Sequence, residues 1–259
     1  MKKILALLLA MVVVGVAAYV AADYFLATDI ITETDQSAIM QEPGAPEQQG
    51  QPAVQPQEEL PEDTVLEPQT PLPNEANLDI PFTPQAPHAN WDLPYQEACE
   101  EASMMMAARF LQGRTIEDAD DADRAILQLV EYGKSLGYPV DTTAEETATI
   151  LTSFYGLRTE VLRDFSWDEI KEAIADGYPV IIPAAGQQLQ NPNFTEPGPR
   201  YHMLVIKGYS PEKIITNDPG TKNGFNYEYD YNTLFSAIHD WNGGDVDNGA
   251  KAAIIVMPE

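Results

Sequence analysis

The chain holds one cysteine, Cys99, in the stretch Asn90-Trp91-Asp92-Leu93-Pro94-Tyr95-Gln96-Glu97-Ala98-Cys99-Glu100-Glu101-Ala102-Ser103. A thiol attacks as the thiolate, and the positive end of a helix dipole favours that form. Pro94 is excluded from a helix interior. Beyond it Ala102, Met105, Met106 and Phe110 share one face, with Leu111 flanking it. The spacing predicts an amphipathic helix of about three turns opening after Pro94, with Cys99 in or near its first turn.

A thiol nucleophile needs a base, and imidazole serves near neutral pH. The chain has three histidines, His88, His202 and His239. His88 lies in a Pro-rich entry segment and His239 near the end of an expected helix, which leaves His202 the strongest base. His202 opens an apolar run that turns at 208–212 and returns through a second apolar run to Asn217-Asp218-Pro219-Gly220. This reads as a hairpin. Centred on Ser210, it sets His202 opposite Asp218, within reach of a cross-strand pair. A carboxylate there would orient the imidazole. The Cys99 backbone N–H and the Gln96 side-chain amide, one turn upstream, would serve a tetrahedral oxyanion. The expected site is therefore Cys99, His202 and Asp218, with Gln96 in the oxyanion hole. Each residue also has a structural alternative. Cys99 fits a buried core thiol, His202 a satisfied core histidine, Asp218 a turn initiator and Gln96 a helix cap.

The elements that must position these groups follow from pattern. Helices are expected after Cys99, over 125–136 and over 143–154, the last with a capping box at Thr143 and Glu146. A strand over 156–162 precedes a helix opened by the box Ser166-Trp167-Asp168-Glu169 and ended by Asp176-Gly177. Strands follow over 178–184, 201–209, 213–217, 225–229 and 250–257, with a helix over 231–241. An entering edge strand is expected over 78–83, since Pro81 bars a central one. Helices first and mostly antiparallel strands after give an α+β class with one core.

The chain has 259 residues, with 14 Lys+Arg against 41 Asp+Glu and a formal net charge of -27. That balance opposes nucleic-acid binding, which requires a basic face, and opposes docking on anionic lipid through charge. One cysteine and three histidines argue against a closed structural zinc site. The run 245–249 has calcium-loop character but lacks the full ligand set and the distal Glu. No metal or organic cofactor is implied.

Residues 1–27 form an N-terminal membrane anchor or signal segment. Lys2 and Lys3 precede an apolar run over 4–22, close to the roughly 20 residues that span a bilayer. The basic start keeps that end in the cytoplasm and sends the rest out. Residues 28–77 are an acidic Pro/Gln-rich stretch too poor in apolar residues to fold, expected as a disordered linker. Residues 78–259 form the folded domain.

Gln96-Glu97-Ala98-Cys99 opening a helix, Tyr201-His202-Met203-Leu204-Val205 on a strand and Asn217-Asp218-Pro219-Gly220 after a hairpin together resemble the bacteriocin-leader-peptidase-like cysteine peptidases of the papain-like superfamily. The entering segment Phe82-Thr83-Pro84-Gln85-Ala86-Pro87 with Trp91 is similar to exported bacterial members. The resemblance spans roughly 80–257. It implies a papain-like fold with N-terminal helices packed on a mostly antiparallel sheet. It also implies nucleophile Cys99, base His202, orienter Asp218 and oxyanion glutamine Gln96. Many members follow the cysteine with Gly-Pro, whereas this chain has Glu100-Glu101. Two carboxylates there suit the dipole but oppose a thiolate. The expected function is an exported thiol hydrolase acting on a peptide or other amide substrate. Two alternatives stand beside it: a non-catalytic papain-like module binding peptides or cell-envelope components, and acyl transfer to an amine.

Overall fold

The computed structural model describes residues 71–259. The anchor expected over 1–27 and most of the linker expected over 28–77 lie outside the described residues.

Helix α1 (Cys99–Leu111) is the centre of the packing. Its expected single apolar face is corrected here. Met104, Met105, Met106, Ala107 and Ala108 are all inaccessible, and Glu100, Glu101 and Arg109 are buried with them. An amphipathic stripe suits a helix packed on one side. This helix is enclosed by α2 (Ala119–Ser135), α3 (Ala144–Tyr155) and the sheet. Helix α2 starts six residues before the expected 125, because Asp118 caps it, accepting from the Asp121 N–H at 2.8 Å. The aspartates that look like a break are therefore its cap and first turn. Thr143 and Glu146 cap α3 reciprocally, and Gly156 ends it at φ 71°, a left-handed turn that suits glycine.

The remaining elements are β1 (Ala76–Asn77), β2 (Arg158–Leu162), α4 (Trp167–Ala175), β3 (Val180–Ala185), β4 (Tyr201–Tyr209), β5 (Lys213–Asn217), β6 (Tyr227–Asp230), α5 (Tyr231–Ala237) and β7 (Ala253–Met257). Among the described residues they make a seven-stranded antiparallel sheet in the order β2-β7-β3-β4-β5-β6, with β1 also pairing with β4. Side-chain alternation divides the core. Ile181, Met203, Val205, Ile254 and Val256 meet α1, α2 and α3. Val180, Ile182, Leu204, Ile206 and Ile255 meet α4 and α5 on the other face. Helix α5 stops short of the expected 241, and β7 starts after the expected 250.

The edge strand expected over 78–83 is not formed; the pairing residues are Ala76 and Asn77. The chain over 78–83 is held by a side chain instead. Asn217, wholly buried, donates through Nδ2 to the carbonyls of Ile80 at 3.0 Å and Pro81 at 3.3 Å. Its Oδ1 accepts from the Asn226 N–H. Asn217 thus fastens the entry segment to β5.

The β4–β5 hairpin carries a bulge. Ile206 pairs with Thr216 and Gly208 with Ile215, so Lys207 is an extra residue on β4. The extra residue is fixed in place. The Lys207 carbonyl accepts from the Leu78 N–H at 2.8 Å, and its Nζ donates to Asn226 Oδ1 at 2.7 Å.

Replacing Asn217 with Ala strips the Ile80 and Pro81 carbonyls of their donor. The expected loss of stability is about 2–4 kcal/mol, since buried acceptors left unpaired carry the desolvation penalty. Urea denaturation of both forms at neutral pH measures it.

Candidate active site

His202 lies on β4, next to Met203, and both are buried. Its Nε2 is 2.8 Å from Asp218 Oδ1, with the imidazole 1% and the carboxylate 0% exposed. The expected partners are thus brought together, though by a register different from direct opposition. Asn217 pairs with Val205, which carries Asp218 to a position across from Leu204. The contact with His202 is diagonal, on the same face.

Asp218 is surrounded by donors. Oδ1 also accepts from the Gly220 N–H at 3.0 Å. Oδ2 accepts from the Tyr229 hydroxyl at 2.6 Å and from Asn191 Nδ2 at 3.1 Å. Burial alone would raise this carboxyl, but the His202 charge and the hydrogen bonds outweigh it and hold it below the usual value. The Tyr229 hydroxyl is pushed far up by its burial and by the Asp218 charge, so it stays a donor. Phe194 stands edge-on to the imidazole at 5.4 Å between ring centres. Gly220 packs against both rings. A Cβ there would lie 2.8 Å from Phe194 Cε1 and 2.9 Å from His202 Cε1.

Cys99 is the first residue of α1, as expected. There a backbone N–H has no intrahelical acceptor. Ser103, one turn on, donates to the Met203 carbonyl at 3.2 Å, which ties this end of α1 to β4. Cys99 therefore sits against the residue adjacent to His202. Its thiol turns elsewhere, donating to Glu100 Oε2 at 3.0 Å rather than to His202. Burial pushes the thiol well up, the Glu100 charge and hydrogen bond add to this, and the Met203 N–H opposes it. Glu100 and Glu101 are themselves pushed up by burial; Glu101 reaches about 7.

Gln96 lies in the turn ahead of Cys99, as expected. It is exposed, and its amide donates to Glu97 Oε1 at 3.1 Å. The residue passed over in the sequence is Gln85, which is buried. Its Nε2 donates to the carbonyls of Tyr95 and Gln96, both at 2.9 Å, in the short 3₁₀ turn Tyr95–Glu97 ahead of Cys99. Its backbone N–H reaches the Pro219 carbonyl at 2.9 Å. Gln85 thus joins the cysteine turn to the Asp218 loop, and its buried Oε1 has no partner. The available signal was the segment Pro84-Gln85-Ala86-Pro87, where a lone amide sits among prolines. Asn191 and Tyr229 carried no signal of their own, because the fold alone brings them to Asp218. His88 pairs with Asp120 at 3.1 Å on the surface, and His239 Nδ1 lies 2.8 Å from the Gly249 carbonyl.

A buried thiol at a helix start, three helices on one face of an antiparallel sheet and a His–Asp pair on adjacent strands define the papain-like cysteine peptidase class. The model of the Peptidase_C39 like family matches residues 77–243. The chain belongs to that family and is a cysteine peptidase-like hydrolase. A crystal structure assigned as a C39-like peptidase from Bacillus anthracis aligns at TM-score 0.50 and 16% identity, over 71% of this chain and 98% of that one. A double-glycine motif protease of an AMS/PCAT transporter, in complex with its leader peptide, aligns at 0.40 and 15%, over 71% and 95%. Digestive procathepsin L 3 of Tenebrio molitor aligns at 0.45 and 12%, over 74% and 72%. No curated protein matches significantly.

Two substitutions test the His–Asp pair. Asp218 is depressed in the folded state, so its stabilising contribution is present above the unfolded value of about 3.9 and is lost as pH falls through the folded value. Tyr229→Phe removes a donor, raises the folded value and moves that loss to higher pH. Stability at pH 7 should drop by about 1.5–3 kcal/mol, and the deficit should shrink toward pH 3 in thermal melts. Gly220→Ala should displace the imidazole, with the shift read from the His202 ring signals by NMR.

Proposed function

We propose that the chain is an exported thiol hydrolase that cleaves peptide or other amide bonds through an acyl-enzyme on Cys99. The observation that carries this reading is the buried His202–Asp218 pair, held at 2.8 Å beside the strand position that contacts the start of α1. His202 takes the thiol proton. The thiolate attacks the amide carbonyl, a C–S bond forms, and the C–N bond breaks as His202 passes its proton to the leaving amine. Water, deprotonated by His202, then releases the acid and restores the thiol. Asp218 holds the imidazole and balances its charge. The Cys99 N–H, free at the helix start, is the oxyanion donor assigned here, and Gln85 positions the turn that presents it.

The basic start and apolar run over 1–27 support the reading that this domain is exported and held at the membrane. Among the described residues no helix is long and apolar enough to cross a membrane. Carbonate-washed membranes from cells expressing the full chain should retain it, and a form lacking 1–27 should be lost to the supernatant.

A second reading, a papain-like module that binds peptides without turnover, is favoured by one observation, the thiol bonded to Glu100. Alkylation by iodoacetamide separates the two. A thiol paired with imidazole reacts at mildly acid pH, well below the roughly 8.5 of a free cysteine. That reactivity should vanish in Cys99→Ser and fall steeply in His202→Ala. Reaction only in alkali, indifferent to His202, would mark the binding module.

A further inference from the structure

The Cys99–Glu100 contact is a built arrangement. Glu100 is 1% exposed. Its two oxygens have separate partners: Oε2 accepts from the thiol at 3.0 Å, and Oε1 from the Thr142 N–H at 3.2 Å. Thr142 is fixed in turn, since its carbonyl accepts from the Tyr201 hydroxyl at 2.8 Å and its own hydroxyl lies 2.9 Å from that of Thr147. Beside Glu100 on α1, Glu101 is also buried, and its Oε2 has no hydrogen-bond partner. The charged and titratable groups facing this site come from each neighbouring element. Cys99 and Glu101 lie on α1, Asp141 precedes α3, and Tyr201 is on β4. Lys134, at the end of α2, acts on Glu101, and Asp240 acts on Tyr201. The surroundings of Glu100 are thus mostly acidic, and protonated carboxylates are the favoured state.

We propose that Glu100 is a positioning residue that latches the nucleophile: ionised, it holds Cys99 as a thiol turned from His202, and on protonation it releases the thiol, so the hydrolase is active in acid. The inference rests on the triad assignment above. Proton placement accounts for the latch. With Glu100 ionised, the S–H donates to the carboxylate, and moving that proton to His202 would leave two anions 3.0 Å apart in a buried site. With Glu100 protonated, its O–H becomes the donor. The thiol proton passes to His202, the sulfur carries the charge, and the neutral carboxyl donates to it. Glu101 adjusts the transition, because its charge raises Glu100.

The test uses the full-length chain and its variants, with iodoacetamide as the probe and thiolate absorbance as a second readout, from pH 4 to pH 9. Wild type should react fastest in mild acid and slow as pH rises through the carboxylate transition. Glu100→Gln removes the titrating group yet keeps an amide that donates to sulfur. On the alkaline side of the wild-type decline it should react about tenfold or more faster than wild type, the effect of a pKa change of at least one unit, and it should show no decline of its own. Glu101→Gln removes a neighbouring charge while leaving the Cys99–Glu100 bond. It should move the decline to lower pH, opposite in sign. A residue with only a structural role would not produce opposite shifts. A Glu100→Gln profile that coincides with wild type, or is slower at every pH, overturns the latch. So does a Glu101→Gln decline that stays put, should Glu100→Gln fail to fold. His202→Ala separates the two ideas. If it abolishes acid reactivity while both glutamine variants match wild type, the triad stands and the latch fails. If it changes nothing, the triad itself fails.

Discussion

A carboxylate without solvent contact stays charged only where donors replace its water, and the Asp218 site is built around that requirement. His202, Tyr229, Asn191 and the Gly220 N–H all point to it. They come from β4, β6, the β3–β4 connection and the turn after β5. The sheet must be complete before the carboxylate is satisfied, and the carboxylate in turn fixes the imidazole. Tyr229 shows the economy of the arrangement. Its own burial raises the hydroxyl, which keeps the proton where Asp218 needs it. A buried network of this kind is stabilising only when every member is satisfied.

The two sides of the site treat carboxylates in opposite ways. Asp218 faces donors and is held ionised. Burial holds Glu100 and Glu101 toward the neutral form, and the Asp141 charge adds to it for both. Titratable groups pushed apart by their surroundings mark divided roles in a reaction. Here the division falls between a carboxylate that hydrogen bonds keep charged beside the imidazole and a carboxyl that burial keeps toward the neutral form beside the thiol. The formal charge of -27 does not explain this difference. Surface carboxylates are screened by water and salt over a Debye length, whereas the two at the start of α1 are enclosed by protein.

Much of the scaffold was legible because its signals are local. The boundaries of β4 and β5 match the apolar runs 201–209 and 213–217, since Gly208 and Ser210-Pro211 punctuate them. The Thr143 and Ser166 capping boxes locate α3 and α4 for the same reason. Cys99, His202 and Asp218 stood out because their types are scarce or their places exposed by a turn. What was not legible depends on packing. Nothing local says that α1 is enclosed on all sides, so its methionines read as a stripe. Nothing local turns the Gln96 amide outward to Glu97 or buries Gln85 against Tyr95 and Pro219. Proximity in sequence favoured Gln96, and the chain's path through the Pro-rich entry brought Gln85.

The register of one hairpin decides whether this site can exist. Near the turn Gly208 faces Ile215. Continued without interruption, that register would set Asp218 opposite Val205, whose side chain points to the α1 face with Met203. His202 and Val205 alternate along β4, and the carboxylate would be lost to the imidazole, because an odd shift exchanges the two sides of a strand. The extra residue at Lys207 shifts the count by one. Asp218 then falls across from Leu204 and shares a face with His202. A bulge needs something to keep it from annealing. The buried Lys207 supplies this through Leu78, Asn226 and the Phe225 ring, 4.9 Å from its ammonium. The entry segment thus fastens the bulge at Leu78 and the cysteine turn at Gln85. One stretch of irregular chain, itself held by Asn217, sets both halves of the site.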